Sequence, residues 1–152
     1  HEMTHAFDSY RKKFKRNDWK QISDGLRNQF NKYTVQDQYF VDGQKTFQEN
    51  FADLGGVEVS LLALKIILKE NEPQLSHEEE LIAIRNYFMN YAKFWKEKAT
   101  AEFEISSIKR IHTPQKYRAI GPIYNQNEFY EAYIIDANSK YYIPENKRLC
   151  IW

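Results

Sequence analysis

Apolar residues recur every three to four positions along most of the chain, which is the spacing of helices that bury one face. Residues 18–33 are the first long stretch of this kind, and Asp18 is of a type favoured at a helix N-cap. Their apolar positions are Trp19, Ile22, Leu26, Phe30 and Tyr33. The pattern predicts a helix over 18–33 with one buried face.

A second stretch with helical spacing runs from Thr46 to Lys69. Its apolar positions are Phe47, Phe51, Leu54, Val57, Leu61, Leu64 and Leu68. Thr46 followed by Glu49 matches a capping box, in which the two side chains bond to each other's backbone at a helix start. Gly55 and Gly56 lie inside the stretch, where each costs about 1 kcal/mol relative to alanine. We expect a packing reason, such as the close approach of another backbone.

The rest of the chain also favours helices. Ser76 with Glu79 three residues later predicts a second capping box, opening a helix that runs to about Glu97. Shorter helices are predicted over 100–111, after Thr113-Pro114 and over 125–133, with a break at Gly121-Pro122 and an irregular tail over 141–152. The expected fold class is mainly α.

Composition narrows the possible functions. The 152 residues suffice for one domain, and 22 Lys+Arg against 21 Asp+Glu leave no basic excess for nucleic acid. The longest apolar-rich segment, residues 57–68, is shorter than the roughly 18 residues that cross a membrane. The one cysteine, Cys150, excludes an internal disulfide and a multi-thiolate zinc site. Any metal must therefore bind to histidines and carboxylates.

The chain begins with a metal-binding pattern. His1-Glu2-Met3-Thr4-His5 matches HExxH, which places two histidines on one helix face where both can bind one zinc ion. Glu2 would accept a proton from the attacking water. The alternative is a pair of ordinary surface histidines. A catalytic zinc usually takes three protein ligands, so a carboxylate is expected as the third.

Glu49 is the candidate third ligand, because it lies on the predicted second helix. Asp53, one turn later, could accept the second ring N–H of a zinc histidine and so fix its tautomer. Asp8, three residues after His5, could do the same for the other histidine. The alternative for Glu49 is the capping box with Thr46, and the residues alone leave both open.

Four segments, HEMTHAFD, ENFADLGG, HTPQKYRAIG and the terminal KRLCIW, resemble in this order the C-terminal half of the neprilysin family of zinc metalloendopeptidases. The resemblance implies the helical C-terminal part of a zincin, or thermolysin-like, catalytic domain. It implies one zinc on His1, His5 and Glu49, Glu2 as general base, and Asp8 and Asp53 as partners of the histidines.

The resemblance also gives roles to two residues near the third quarter of the chain. His112 would stabilise, together with zinc, the oxyanion of the tetrahedral intermediate, and Arg118 would bind a substrate backbone carbonyl. Without the resemblance, His112 would be a flank of the helix after Pro114, and Arg118 half of a surface ion pair.

The resemblance bears on domain organisation as well. Residues 1–152 are expected to be the C-terminal portion of the catalytic domain, starting at the HExxH motif, without its upstream part and the helical N-terminal domain. We therefore expect this segment alone to be inactive, with the N-terminal part of the same protein and oligopeptide substrates as partners. The lone cysteine favours a bacterial cytoplasmic protein, with an exported or cell-surface one as the alternative. The competing hypothesis is a non-catalytic helical binding module or an inactive fragment.

Overall fold

The structure, a computed structural model, describes residues 1–7 and 18–152. The predicted role of Asp8 lies outside the described residues. The α-helices in the described part are α1 (Glu2–His5), α2 (Trp19–Phe30), α3 (Phe47–Asn71), α4 (His77–Phe94), α5 (Ala101–Ser107), α6 (Gln115–Ile120) and α7 (Asn127–Tyr133). Short 3-10 turns cover Ile123–Asn125 and Glu145–Lys147. The mainly α prediction is confirmed. No helix in the two described ranges has the length and apolar character to cross a membrane.

One feature of the fold was not predicted from the sequence. Strands β1 (Thr34–Val35) and β2 (Tyr39–Phe40) pair antiparallel, with Val35 opposite Tyr39. The turn between them places Gln36 and Asp37 at φ 50° and 56°. Hairpin turns with two positive φ angles usually contain Asn-Gly or Asp-Gly, and this one has no glycine. The sequence therefore lacks the usual hairpin signal.

Of the two predicted capping boxes, the structure contains one. At α4 both bonds of the Ser76–Glu79 box are present, as predicted. At α3 the side chain of Thr46 makes no cap hydrogen bond, so the predicted Thr46–Glu49 box is wrong. The Thr46 hydroxyl instead donates to the carbonyl oxygen of Asp42 at 2.8 Å. The carboxylate of Glu49 is therefore available for other contacts.

Helix α3 is the central element, because its two halves contribute to two separate clusters of buried apolar residues. One cluster joins α2, the hairpin, the first half of α3, α6 and the C-terminal Leu149 and Ile151. The other joins the part of α3 from Val57 onward to α4, Ile123 and α7. Residues on the first half of α3 are thus held in place from several sides.

Gly55 and Gly56 allow α1 to lie against α3. A Cβ on Gly56 would come within 2.6 Å of the backbone nitrogen of His1, and one on Gly55 within 2.7 Å of Oγ1 of Thr4. Thr4 is buried in this contact. The expected close approach of another backbone is confirmed at Gly56, and it places α1 and the preceding His1 directly beside α3.

Candidate metal centre

Three donor atoms from two helices converge where α1 crosses α3. Nε2 of His1 and Nε2 of His5 lie 3.1 Å apart, and each is 3.4 Å from Oε2 of Glu49. Donors held at zinc–ligand distances in tetrahedral geometry lie about 3.3–3.4 Å from one another. The donor set and its spacing therefore fit a zinc ion. The two histidines come from one helix face, and Glu49 comes from the first turn of α3.

Asp53, one turn after Glu49, lies behind His1. Its Oδ1 is 2.6 Å from Nδ1 of His1, and its side chain is 3% exposed. An ionised carboxylate only accepts hydrogen bonds, so Nδ1 carries the proton and the lone pair of Nε2 faces the centre. The same hydrogen bond raises the pKa of the His1 imidazole, because the negative charge stabilises the protonated ring.

Asp53 also holds Arg118, which lies in α6. Nε of Arg118 donates to Oδ2 of Asp53 at 2.7 Å, and Nη2 donates to Oδ1 at 2.7 Å. The guanidinium lies 4.1 Å from the centre of the Trp95 ring, which packs against its face. The Arg118 side chain is only 12% exposed. The ion pair of Arg118, considered above as a surface one, is therefore largely buried and bidentate.

His112 approaches the centre from the segment before α6. Its Nε2 lies 3.0 Å from Oε2 of Glu49, while its side chain remains 46% exposed. The next residue, Thr113, is buried and donates from its hydroxyl to Oδ1 of Asn50 at 2.6 Å. His112 therefore contacts Glu49 but is not one of the three mutually close donors, His1, His5 and Glu49.

Glu2 lies at the open side of the centre. Its Oε1 is 3.9 Å from Nε2 of His1, and its side chain is 90% exposed. A separate cavity of about 240 Å³ opens beside the centre and is lined by both His112 and Arg118. Glu2 is thus exposed beside His1, while His112 and Arg118 share a cavity whose lining does not include Glu2.

All the predicted site residues that lie within the described parts of the chain are close together in the structure. These are His1, Glu2, His5, Glu49, Asp53, His112 and Arg118. Two contributors escaped the sequence analysis: Asn50 and Trp95, which contact Thr113 and Arg118 respectively. Asn50 directly follows Glu49 near the start of a helix whose first half is largely buried. A buried side-chain amide needs hydrogen-bond partners, so its position in the sequence could have indicated a structural contact here.

The chain is similar to known peptidases over nearly its whole length. The family model described as Peptidase family M13 matches residues 1–149. Neprilysin of Oryctolagus cuniculus is 30% identical over 169 residues, covering 100% of this chain and 22% of that protein. The neutral endopeptidase of Lactococcus lactis subsp. lactis (strain IL1403) is 32% identical over 112 residues, covering 73% of this chain and 16% of that protein.

A solved structure has the same arrangement of elements. The zinc metalloprotease ZMP1 of Mycobacterium tuberculosis, solved in complex with an inhibitor, superposes with a TM-score of 0.75 at 27% identity. The match covers 86% of this chain and 20% of that one. The chain thus spans about a fifth of the length of the relatives it matches.

Proposed function

This chain belongs to peptidase family M13, the neprilysin family, and we propose from this premise that it carries the catalytic zinc site of an oligopeptide-cleaving metalloendopeptidase. The proposal rests on one observation, the convergence of the donor atoms of His1, His5 and Glu49 at 3.1–3.4 Å. These three residues would hold one zinc ion. When bound there, zinc would supply a Lewis acid able to polarise a carbonyl and lower the pKa of a bound water.

Glu2 is assigned the role of general base. Its carboxylate lies on the accessible side of the centre, 3.9 Å from Nε2 of His1, where it can accept a proton from an attacking water. The same group can then deliver that proton to the leaving amine. The scissile C–N bond then breaks, the water oxygen stays on the acyl carbon as part of the new carboxyl group, and one water proton leaves on the amine product.

His112 and Arg118 are assigned to the substrate. His112 would donate its ring N–H to the oxygen that becomes negative as the tetrahedral intermediate forms. Arg118 keeps its orientation through Asp53, and its Nη1 is the donor that would bind a substrate backbone carbonyl. The shared cavity next to both residues supports this assignment.

The test is Glu2→Gln in the natural polypeptide, including any residues that precede His1. We expect one zinc per chain to remain bound while cleavage of an oligopeptide falls by about 100-fold or more, since general bases contribute on the order of 10²–10⁴-fold. Glu78→Gln on α4, which removes an exposed carboxylate far along the chain, is the control. If the Glu2→Gln protein still cleaves the oligopeptide at the original rate, the proposed mechanism is wrong. If the unaltered polypeptide binds no zinc, the proposed metal site is wrong.

We propose further that residues 1–152 by themselves do not turn over substrate and act with an N-terminal part of the same protein. Support comes from the 90% exposure of the Glu2 side chain and from the relatives, about five times as long. An enclosed site strengthens electrostatic interactions with the transition state, and an open one does not. Tight zinc binding with measurable turnover by the isolated 152 residues would contradict this proposal.

A further inference from the structure

A line of buried hydrogen bonds runs beneath the metal centre. The hydroxyl of Thr113 donates to Oδ1 of Asn50 at 2.6 Å, and Nδ2 of Asn50 donates to Oγ1 of Thr46 at 2.9 Å. Thr46 in turn donates to the carbonyl oxygen of Asp42 at 2.8 Å. The side chains of Thr46, Asn50 and Thr113 are all buried, with residue exposures of 1%, 1% and 3%.

The direction of this line is fixed by the number of protons available. A backbone carbonyl only accepts, so the single hydroxyl proton of Thr46 is used on Asp42. Thr46 must then accept from the amide nitrogen of Asn50, which turns the amide oxygen toward Thr113. Thr113 can therefore bond to Asn50 only as a donor. The donor and the acceptor of each of the three hydrogen bonds are thus fixed.

The line connects the two residues that face each other across the centre. Asn50 follows Glu49 in α3, and Thr113 follows His112, so the Thr113–Asn50 bond joins the backbones that carry the Glu49 and His112 side chains. His112 itself is 46% exposed, so packing around the ring is incomplete. The buried Thr113–Asn50 bond lies immediately next to this ring, whose Nε2 is 3.0 Å from Oε2 of Glu49.

We propose that Thr113 and Asn50 are positioning residues, which set where the ring N–H of His112 meets the developing oxyanion. The proposal rests on the peptidase function proposed above. A donor stabilises a transition state only where it is already aimed at the new charge, and misplacement by about 1 Å can cost on the order of 100-fold in rate. Thr113 thus acts on the reaction through His112 and not by contact with substrate.

The kinetic test uses Thr113→Val, which keeps the shape of the side chain and removes the hydroxyl. We expect kcat to fall about tenfold, less than the roughly 100-fold for loss of an oxyanion donor, with KM and zinc content unchanged. Thr113→Ser keeps the donor and should restore most of kcat. In a His112→Ala background, Thr113→Val should have no further effect on kcat, because the residue through which it acts is gone.

A second readout does not depend on activity. The chain has four histidines, so its Cε1–H groups give four NMR signals, and His112→Ala identifies that of His112. We expect Thr113→Val to shift and broaden the His112 signal while the His77 signal on α4 is unchanged. Tyr130→Phe is the matched control, since it removes a hydroxyl that also joins two segments, to Tyr124 and Ile143, away from the centre.

The outcomes separate this inference from the peptidase proposal. An unchanged His112 signal in Thr113→Val overturns the inference even if the wild-type protein shows no cleavage. Equal loss of kcat from Thr113→Val with and without His112 also overturns it, because the effect would then be structural. If Thr113→Val does not fold, Thr113→Ala carries the same comparison, and loss of activity in Tyr130→Phe would contradict a specific role.

Discussion

Nδ1 of His1 lies 2.6 Å from Oδ1 of Asp53, although the two residues are 52 positions apart. The same carboxylate accepts two hydrogen bonds from Arg118. One buried charge therefore orients a candidate metal ligand and holds a candidate substrate-binding residue. We expect changes at Asp53 to affect metal affinity, substrate binding and stability together.

The first prediction concerns Asp53→Asn. Zinc affinity should fall about 10- to 100-fold, the usual effect of losing a partner that orients a ligand histidine. The free energy of unfolding should also fall by about 3 kcal/mol, because the charge of the buried Arg118 is left without its counter-charge. Chelator competition and urea unfolding measure the two effects. Asp42→Asn, an exposed aspartate that accepts bonds from Gln44 and Lys45, should leave zinc affinity unchanged.

The second prediction concerns the choice between two roles for Glu49. If its carboxylate binds zinc, Glu49→Gln should weaken zinc binding by more than about 100-fold, beyond the range for residues that only support a ligand. Glu79→Gln is the control, since Glu79 does form a capping box with Ser76. Equal zinc affinity in both variants, measured by competition with a chelator, would remove Glu49 from the ligand set.

The third prediction tests the contact between α1 and α3. Alanine at Gly56 gains helix propensity, about 1 kcal/mol, but its Cβ would come within 2.6 Å of the His1 backbone, which cannot move independently of α1. We expect Gly56→Ala to reduce zinc affinity measurably and to lower the free energy of unfolding by about 1–3 kcal/mol.

Gly25→Ala is the matched control for this effect. Gly25 lies in α2, and an added Cβ meets only the end of the Leu149 side chain, at 2.8 Å, which can rotate away. Its stability should change by less than about 1 kcal/mol. If Gly56→Ala binds zinc as tightly as Gly25→Ala does, the close approach of α1 is not needed for the site.

The fourth prediction concerns the hairpin. Gln36 and Asp37 adopt positive φ angles that are unfavourable for residues with a side chain. Replacing them with Asn-Gly should raise the free energy of unfolding by about 1 kcal/mol, without changing zinc affinity. Gln38→Gly is the control, since Gln38 has no positive φ, and it should destabilise the protein by about 0.5–1 kcal/mol. Urea unfolding of both variants measures the difference.

The sequence predicted well those features that depend on neighbours along the chain. The pattern His-Glu-x-x-His forces two histidines onto one helix face, because residues four apart lie one turn apart. The Ser76–Glu79 box is equally local and is present. The hairpin was missed for a local reason as well, since its turn uses Gln36 and Asp37 where glycine is usual.

By itself, then, the sequence determined the helices, the spacing of the two histidines and the set of chemically suitable residues. Only the tertiary structure decided that Glu49 faces His1 and His5 and not the Thr46 backbone, and that Asp53 serves both His1 and Arg118. The physical reason is that the partners of Glu49 and Asp53 belong to segments that are distant along the chain, and a local sequence pattern does not show which distant segments come into contact. The packing of α1 on Gly55 and Gly56, which no short sequence window contains, brings those segments together.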